Sequence, residues 1–157
     1  MDYVIIVAGG KGLRMGTDIP KQFLPVNGKP ILMRTIERFK AYNNTLQIVL
    51  VLPREQHSYW ESMCSNYHFD IACRLADGGT TRFESVKNGL MLIPDEVKGV
   101  VGVHDGVRPF VSEAVIGRCF DAARKSKAVI PVVPVIETLR RLEHNGSGEN
   151  ILRDAYR

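Results

Sequence analysis

A chain of 157 residues, 45% hydrophobic and 24% charged, has room for one folded body with a workable core and lacks the composition of a disordered or collagenous protein. Its net charge of +4 comes without any long cationic run, which argues against a dedicated nucleic-acid binder and suits a small polyanion held by a few lysines and arginines. Cys64, Cys73 and Cys119 are widely spaced and form no CxxC pair, which fits a reducing cytoplasm, and no apolar run is long enough for a membrane span.

Val4–Ala8 is short, continuous and β-branched, the pattern of a strand covered on both faces. Pro30 opens the stretch ILMRTIERFKAY, with apolar residues at 32, 36 and 39, so a helix is expected there. Ile48–Leu52 reads as a second buried strand, Gln56–Asn66 as a helix and Ile71–Leu75 as a third, less apolar strand. Thr81-Arg82-Phe83-Glu84 has the form of a capping box that opens a helix running through Leu92. Val100–His104 follows as a fourth strand, Ser112 caps a helix to about Lys125, and Ala128–Val133 is expected as a fifth strand. Such alternation implies an α/β, Rossmann-like body over residues 1–133, with a mainly parallel sheet and helices on both faces. After Pro134 two strand-like pieces flank the turn signal Asn145-Gly146, with many charges and few large apolar residues. Residues 134–157 are therefore expected to form a protruding β-arm that meets another chain.

The loop after the first strand carries Gly9, Gly10 and Gly12, then Arg14 and Lys21. Glycines let backbone N–H groups approach a phosphate closely, and the strand's carboxyl end is where open α/β sheets bind ligands. The loop is not a dinucleotide fingerprint, because Met15 stands at the third glycine position and no acidic strand end follows about 20 residues on. Nor is it a Walker loop, because Pro30 follows Gly28-Lys29 and position 23 is phenylalanine. Gly9-Gly10-Lys11-Gly12-Leu13-Arg14-Met15 with Pro20-Lys21-Gln22 resembles the nucleotidyltransferase loop G-G-x-G-x-R-M…P-K-Q. In that reading the glycines admit a triphosphate, and Arg14 and Lys21 stabilise the charge that develops on its α-phosphorus.

Two further motifs end in strand-to-helix loops. Asp77-Gly78-Gly79-Thr80-Thr81-Arg82, with Ser85 one turn on, is either a capped helix start or a polar edge for a nucleobase. In His104-Asp105-Gly106-Val107-Arg108-Pro109, Asp105 is placed to hold Mg2+ against phosphates or to cap a turn. Arg108 suits an acceptor contact or a structural ion pair, and His104 reads as a packed or hydrogen-bonded side chain rather than a catalytic one.

Together the motifs resemble the 2-C-methyl-D-erythritol 4-phosphate cytidylyltransferase family of the non-mevalonate isoprenoid pathway. D-G-G-x-x-R-x-x-S-V-x-x-G-L (Asp77–Leu90) and V-H-D-x-x-R-P (Val103–Pro109) are particular to that family and its ribitol-phosphate relatives. The resemblance implies transfer of CMP from CTP to the polyol phosphate, with release of pyrophosphate and without a general base. It places Ala8, Gly9, Gly10 and Gly12 on the CTP, with Arg14 and Lys21 as the catalytic cations. It sets Gly79, Thr80 and Ser85 against cytosine and ribose, although the family often has an acid where Thr80 stands. Asp105 would hold Mg2+ or another divalent cation, with Gly106 on the ribose side and Arg108 toward the acceptor. Thr138 and Arg153 would reach from the arm into the site of the second copy in a homodimer and bind the acceptor phosphate. Members of the family run on past the arm, so the chain is expected to be a fragment or a shortened form. Ribitol 5-phosphate cytidylyl transfer and a non-catalytic nucleotide-binding module are the competing readings.

Overall fold

The computed structural model describes residues 1–10 and 19–156, so the expectations for Gly12 and Arg14 lie outside the described residues. In chain order the elements are β1 (Tyr3–Val7), β2 (Pro25–Val26), β3 (Lys29–Pro30), α1 (Ile31–Tyr42) and β4 (Gln47–Leu52). There follow α2 (His57–Asn66), β5 (Arg74–Asp77), α3 (Arg82–Leu90), β6 (Val101–Asp105), α4 (Glu113–Ser126), β7 (Leu139–Leu142) and β8 (Gly148–Ile151). Pro30 stands at the cap just before α1 rather than inside it.

The central sheet has the order β5-β4-β1-β6 and all its strands are parallel. Side chains alternate across it, as the period of two requires. Val4, Ile6 and Ala8 of the first strand and its end, with Ile48, Leu50 and Leu52 of β4, join one core with Leu32, Ile36 and Phe39 of α1, Trp60 of α2 and Phe120 of α4. Tyr3, Ile5, Val49 and Val51 face the opposite side. There α3 comes close enough that a Cβ on Gly89 would lie 2.8 Å from Ile5 Cγ2 and 3.1 Å from Val51 Cγ2. Both faces are thus covered, which explains the unbroken apolar runs of β1 and β4. Each large side chain taken out of water in this way stabilises the fold by about 1.5–3 kcal/mol before entropy is counted.

From β1 the chain moves to one side of the sheet through β4 and β5, then crosses back to place β6 on the other side of β1. The change of direction falls between β1 and β6. A crevice opens outside the carboxyl ends of strands at such a point.

Two expectations are corrected. The third strand begins at Arg74 rather than Ile71, because pairing with β4 starts at Val49↔Arg74 while Ile71 and Cys73 pack against the core as irregular chain. Ala128–Val133 forms no strand. Pro131 and Pro134 withhold ladder donors, and the segment has no sheet partner among the described residues, leaving Ile130 79% and Val133 76% exposed. Beyond it β7 and β8 pair with each other as an antiparallel hairpin, in register Leu139↔Ile151 to Leu142↔Gly148. Gly146 turns the hairpin at φ +82°, Asn145 Oδ1 accepts from Ser147 N at 2.9 Å, and Arg141 pairs with Glu149 across the strands.

Candidate active site

The crevice at the β1/β6 carboxyl ends is a cleft of about 400 Å3. It is lined by Val7 to Gly10, by Lys21 and Gln22, by Gly79 to Arg82 with Ser85, and by Asp105 and Val107. Three loops that are far apart in sequence therefore share one space.

On the β1 side, Ala8 N donates to Val51 O at 2.9 Å, so the ladder holds the chain up to that residue. Gly9 and Gly10 then leave the sheet, and a Cβ on either would meet nothing within 4 Å among the described residues. Neither crowding by the described residues nor a positive φ demands glycine there. What the missing side chains provide is open floor on which a ligand can touch main-chain N–H groups. Lys21 begins a 3-10 turn whose next residues are anchors: Gln22 is 1% exposed and donates to Gln56 Oε1 at 2.9 Å, and Phe23 is buried and meets Tyr59 edge-on at 5.0 Å. An exposed ammonium thus rides on a fixed base at the cleft's edge.

The loop from Asp77 to Thr81 is held by its own helix. Thr81 Oγ1 accepts from Glu84 N at 3.1 Å, and Glu84 Oε2 accepts from Thr80 N at 2.8 Å, Thr80 Oγ1 at 2.6 Å and Thr81 N at 3.2 Å. The expected capping box is present and gains Thr80 as an extra donor. The Thr80 hydroxyl bond leads those that hold the Glu84 carboxyl below its usual range. Ser85 is buried; its Oγ donates to Thr81 O at 2.9 Å and accepts from Gly79 N at 3.0 Å. Both side chains face the cleft, yet their hydroxyl protons are committed to shaping the loop.

On the β6 side, Arg82 Nη2 reaches Asp105 Oδ1 at 3.1 Å, and Arg108 Nε reaches Asp105 Oδ2 at 2.8 Å. Partial burial pushes the carboxyl's pKa up, but the Arg82 and Arg108 guanidiniums outweigh it and hold Asp105 below its ordinary value. The carboxylate is ionised at neutral pH and offers hard oxygen, the donor that Mg2+ prefers. No cluster of three or more His, Cys, Asp or Glu occurs among the described residues, so a cation here would rely on one protein carboxylate, water and ligand phosphates. Gly106 N donates to Val7 O at 2.8 Å, and a Cβ on Gly106 would sit 2.8 Å from Ala8 Cβ, so packing already explains that glycine. His104 packs edge-on against Phe39 at 4.9 Å, burial holds its pKa below the ordinary value, and its Nδ1 has no hydrogen-bond partner among the described residues.

Of the residues expected from sequence, the cleft gathers Ala8, Gly9, Gly10, Lys21, Gly79, Thr80, Ser85 and Asp105. Arg108 lines an adjoining depression with Phe110 rather than the cleft itself. Thr138 and Arg153 are not among the cleft's lining residues, and Arg153 Nη1 donates to Ile136 O at 2.7 Å. Sequence reasoning gave no role to Gln22 or Arg82, although both stood inside quoted motifs; their parts depend on Gln56 and Asp105, which only folding brings near.

A parallel sheet with a glycine-floored, cation-edged cleft at its switch point is the architecture of the Rossmann-like nucleotidyltransferases. The 2-C-methyl-D-erythritol 4-phosphate cytidylyltransferase family matches residues 3–153, and the chain belongs to that family, a nucleotidyltransferase class. A protein of that name from Bacteroides thetaiotaomicron is 60% identical over 98% of this chain and 69% of its own length. One from Phocaeicola vulgatus is 59% identical over 99% of this chain and 69% of its own. Among solved structures, 4-diphosphocytidyl-2C-methyl-D-erythritol synthase of Anaerococcus prevotii superposes with a TM-score of 0.79 at 28% identity. The match covers 98% of this chain and 64% of that one, so the chain spans about two thirds of the proteins it resembles. The 2-C-methyl-D-erythritol 4-phosphate cytidylyltransferase of Thermus thermophilus gives 0.74 at 28% identity, over 99% of this chain and 66% of that one.

Proposed function

We propose that the chain carries the nucleotide half of a cytidylyltransferase that moves CMP from CTP to 2-C-methyl-D-erythritol 4-phosphate, a step toward isoprenoids. The observation that carries the reading is the convergence of Gly9, Gly10, Lys21, the Gly79–Ser85 loop and Asp105 on one cleft. The acceptor's phosphate oxygen attacks the α-phosphorus in line and pyrophosphate leaves. A phosphate monoester, with its second pKa about 6, is largely dianionic near neutral pH and needs no general base. Catalysis is then positioning and charge neutralisation. Main-chain N–H groups at Gly9 and Gly10 cradle the triphosphate, and Lys21, with Arg14 from the same loop, balances the charge that builds on the α-phosphoryl oxygens. The Gly79–Thr80 backbone offers its carbonyl oxygens to the base, because its N–H groups are taken by Ser85 Oγ and Glu84 Oε2, which keep the loop rigid. A divalent cation held by Asp105 would neutralise phosphate charge when bound.

Arg108, next to the cleft and paired through Nε with Asp105, would meet the acceptor. Thr138 and Arg153 on the hairpin segment complete the acceptor site of a second copy, in a homodimer joined through residues 134–157. No helix among the described residues is long and apolar enough to cross a membrane, and phosphorylated substrates with free cysteines fit a cytoplasmic enzyme. Incubating the purified protein with CTP and Mg2+ and either 2-C-methyl-D-erythritol 4-phosphate or ribitol 5-phosphate tests the reading. Pyrophosphate release with the first acceptor is expected. Release only with the second would transfer the assignment to the ribitol enzyme, and CTP binding without release would leave a nucleotide-binding module.

A further inference from the structure

We propose, on the cytidylyl-transfer reading, that Arg82 is a positioning residue: it clamps the Asp105 carboxylate from the base-side loop and thereby ties nucleobase binding to the placement of the cation-binding carboxylate. Arg82 is the first residue of α3, whose N-terminal end favours negative charge over positive. Its helix start is already satisfied by the Thr81–Glu84 capping box, so the cap does not need it. Its side chain is 62% exposed, so it fills no core space, and an exposed ion pair adds little to stability. A residue that helps neither the helix nor the core, yet lines the nucleotide cleft and reaches across to another strand, is explained by what it holds.

What it holds is one oxygen of a carboxylate whose other oxygen is held by Arg108. Arg108 lies three residues along the same turn as Asp105 and moves with it. Arg82 comes from a different element, so it fixes Asp105 relative to the base loop. The side chain carrying the grip sits two residues from Thr80 and three from Ser85, on the segment that meets the base.

Two effects of opposite sign follow. A fixed guanidinium beside the carboxylate repels a divalent cation, so removing it should tighten cation binding. It also orients the carboxylate, so removing it should slow turnover. A merely structural residue would weaken both together.

The experiment compares full-length wild type, Arg82→Gln and Arg82→Lys, with Asp105→Asn and the double variant Arg82→Gln/Asp105→Asn as controls. Mn2+ is titrated with CTP present and no acceptor, read by electron paramagnetic resonance, and pyrophosphate release is followed separately against Mg2+. Arg82→Gln is expected to bind Mn2+ about three- to tenfold more tightly, the size of one partly screened unit charge. Its kcat is expected to fall about tenfold or more through lost positioning. Arg82→Lys, which keeps the charge without the planar fork, should restore the Mn2+ affinity and only part of kcat. The gain in Mn2+ affinity should vanish on the Asp105→Asn background. Unchanged Mn2+ affinity and kcat in Arg82→Gln would overturn the proposal, as would a joint loss of affinity, rate and melting temperature in both single Arg82 variants. If wild type releases no pyrophosphate with any acceptor, cytidylyl transfer fails as the function, and the Mn2+ titrations still decide whether Arg82 acts on Asp105.

Discussion

Gly79→Ala isolates the packing of the base-side loop from its chemistry, because only one methyl group is added. That Cβ would lie 2.3 Å from Glu84 Cβ and 3.1 Å from the Glu84 carbonyl carbon. Carbon atoms in contact rest about 3.5–4.0 Å apart, so the loop and the first turn of α3 must separate by about 1 Å. The separation falls on the bonds that join them: Gly79 N to Ser85 Oγ at 3.0 Å, Thr80 N to Glu84 Oε2 at 2.8 Å and Glu84 N to Thr81 Oγ1 at 3.1 Å. Losing a helix cap costs about 1 kcal/mol, and residual overpacking adds about 1 kcal/mol more at an exposed site free to relax. A total of about 2 kcal/mol lowers the melting temperature of a chain this size by about 4–8 °C. Because the shifted backbone is the surface offered to the base, CTP affinity by calorimetry should fall about tenfold or more. A variant with the wild-type melting temperature and wild-type CTP affinity would refute both the packing argument and the placement of the base.

Lys21→Ala should lower turnover about 100-fold or more while leaving the melting temperature unchanged, because the anchoring falls to Gln22 and Phe23; steady-state pyrophosphate release with a parallel melt checks it. Glu84→Gln tests a proton linkage. The folded-state pKa of Glu84 is depressed, chiefly by the Thr80 hydroxyl, so its share of stability is present above the ordinary value of 4.5 and is lost as pH falls through the lower folded value. The gap between wild type and variant in urea midpoints should therefore be wider at neutral pH than in acid below the usual carboxylate range. The Cys73 thiol is pushed up to about 12, first by burial and then by its neighbour Cys64. It should resist iodoacetamide at pH 8 in the folded protein and react once unfolded. The stability linked to that proton is complete below the ordinary thiol value of 9.0 and is lost progressively as pH rises toward 12.

The features that could be read along the chain are the ones set by neighbours in sequence. An unbroken apolar run marks a strand buried on both faces whatever it pairs with, which is why β1 and β4 fall within a residue of expectation; β6 also falls within a residue of expectation, although Gly102 interrupts its apolar run and it is partly exposed. A Ser or Thr with an acid three residues on satisfies helix donors locally, so the cap at Thr81 appears where it was expected. The glycine loop and the lone aspartate at a strand end were legible for the same reason.

Other features depended on partners supplied by distant parts of the chain. Ala128–Val133 has a strand's composition, but a strand exists only when another backbone takes its hydrogen bonds, and none of the sheet does so here. Thr80 and Ser85 carry hydroxyls suited to a nucleobase, yet folding turns both protons inward, to Glu84 and to Thr81 O. Arg82 reads as one cation in a motif until β6 brings Asp105, 23 positions away, to within 3.1 Å. Composition and spacing limit what a residue can do; the direction of its side chain, and what that side chain meets there, are fixed by the packing of the strands and helices around it.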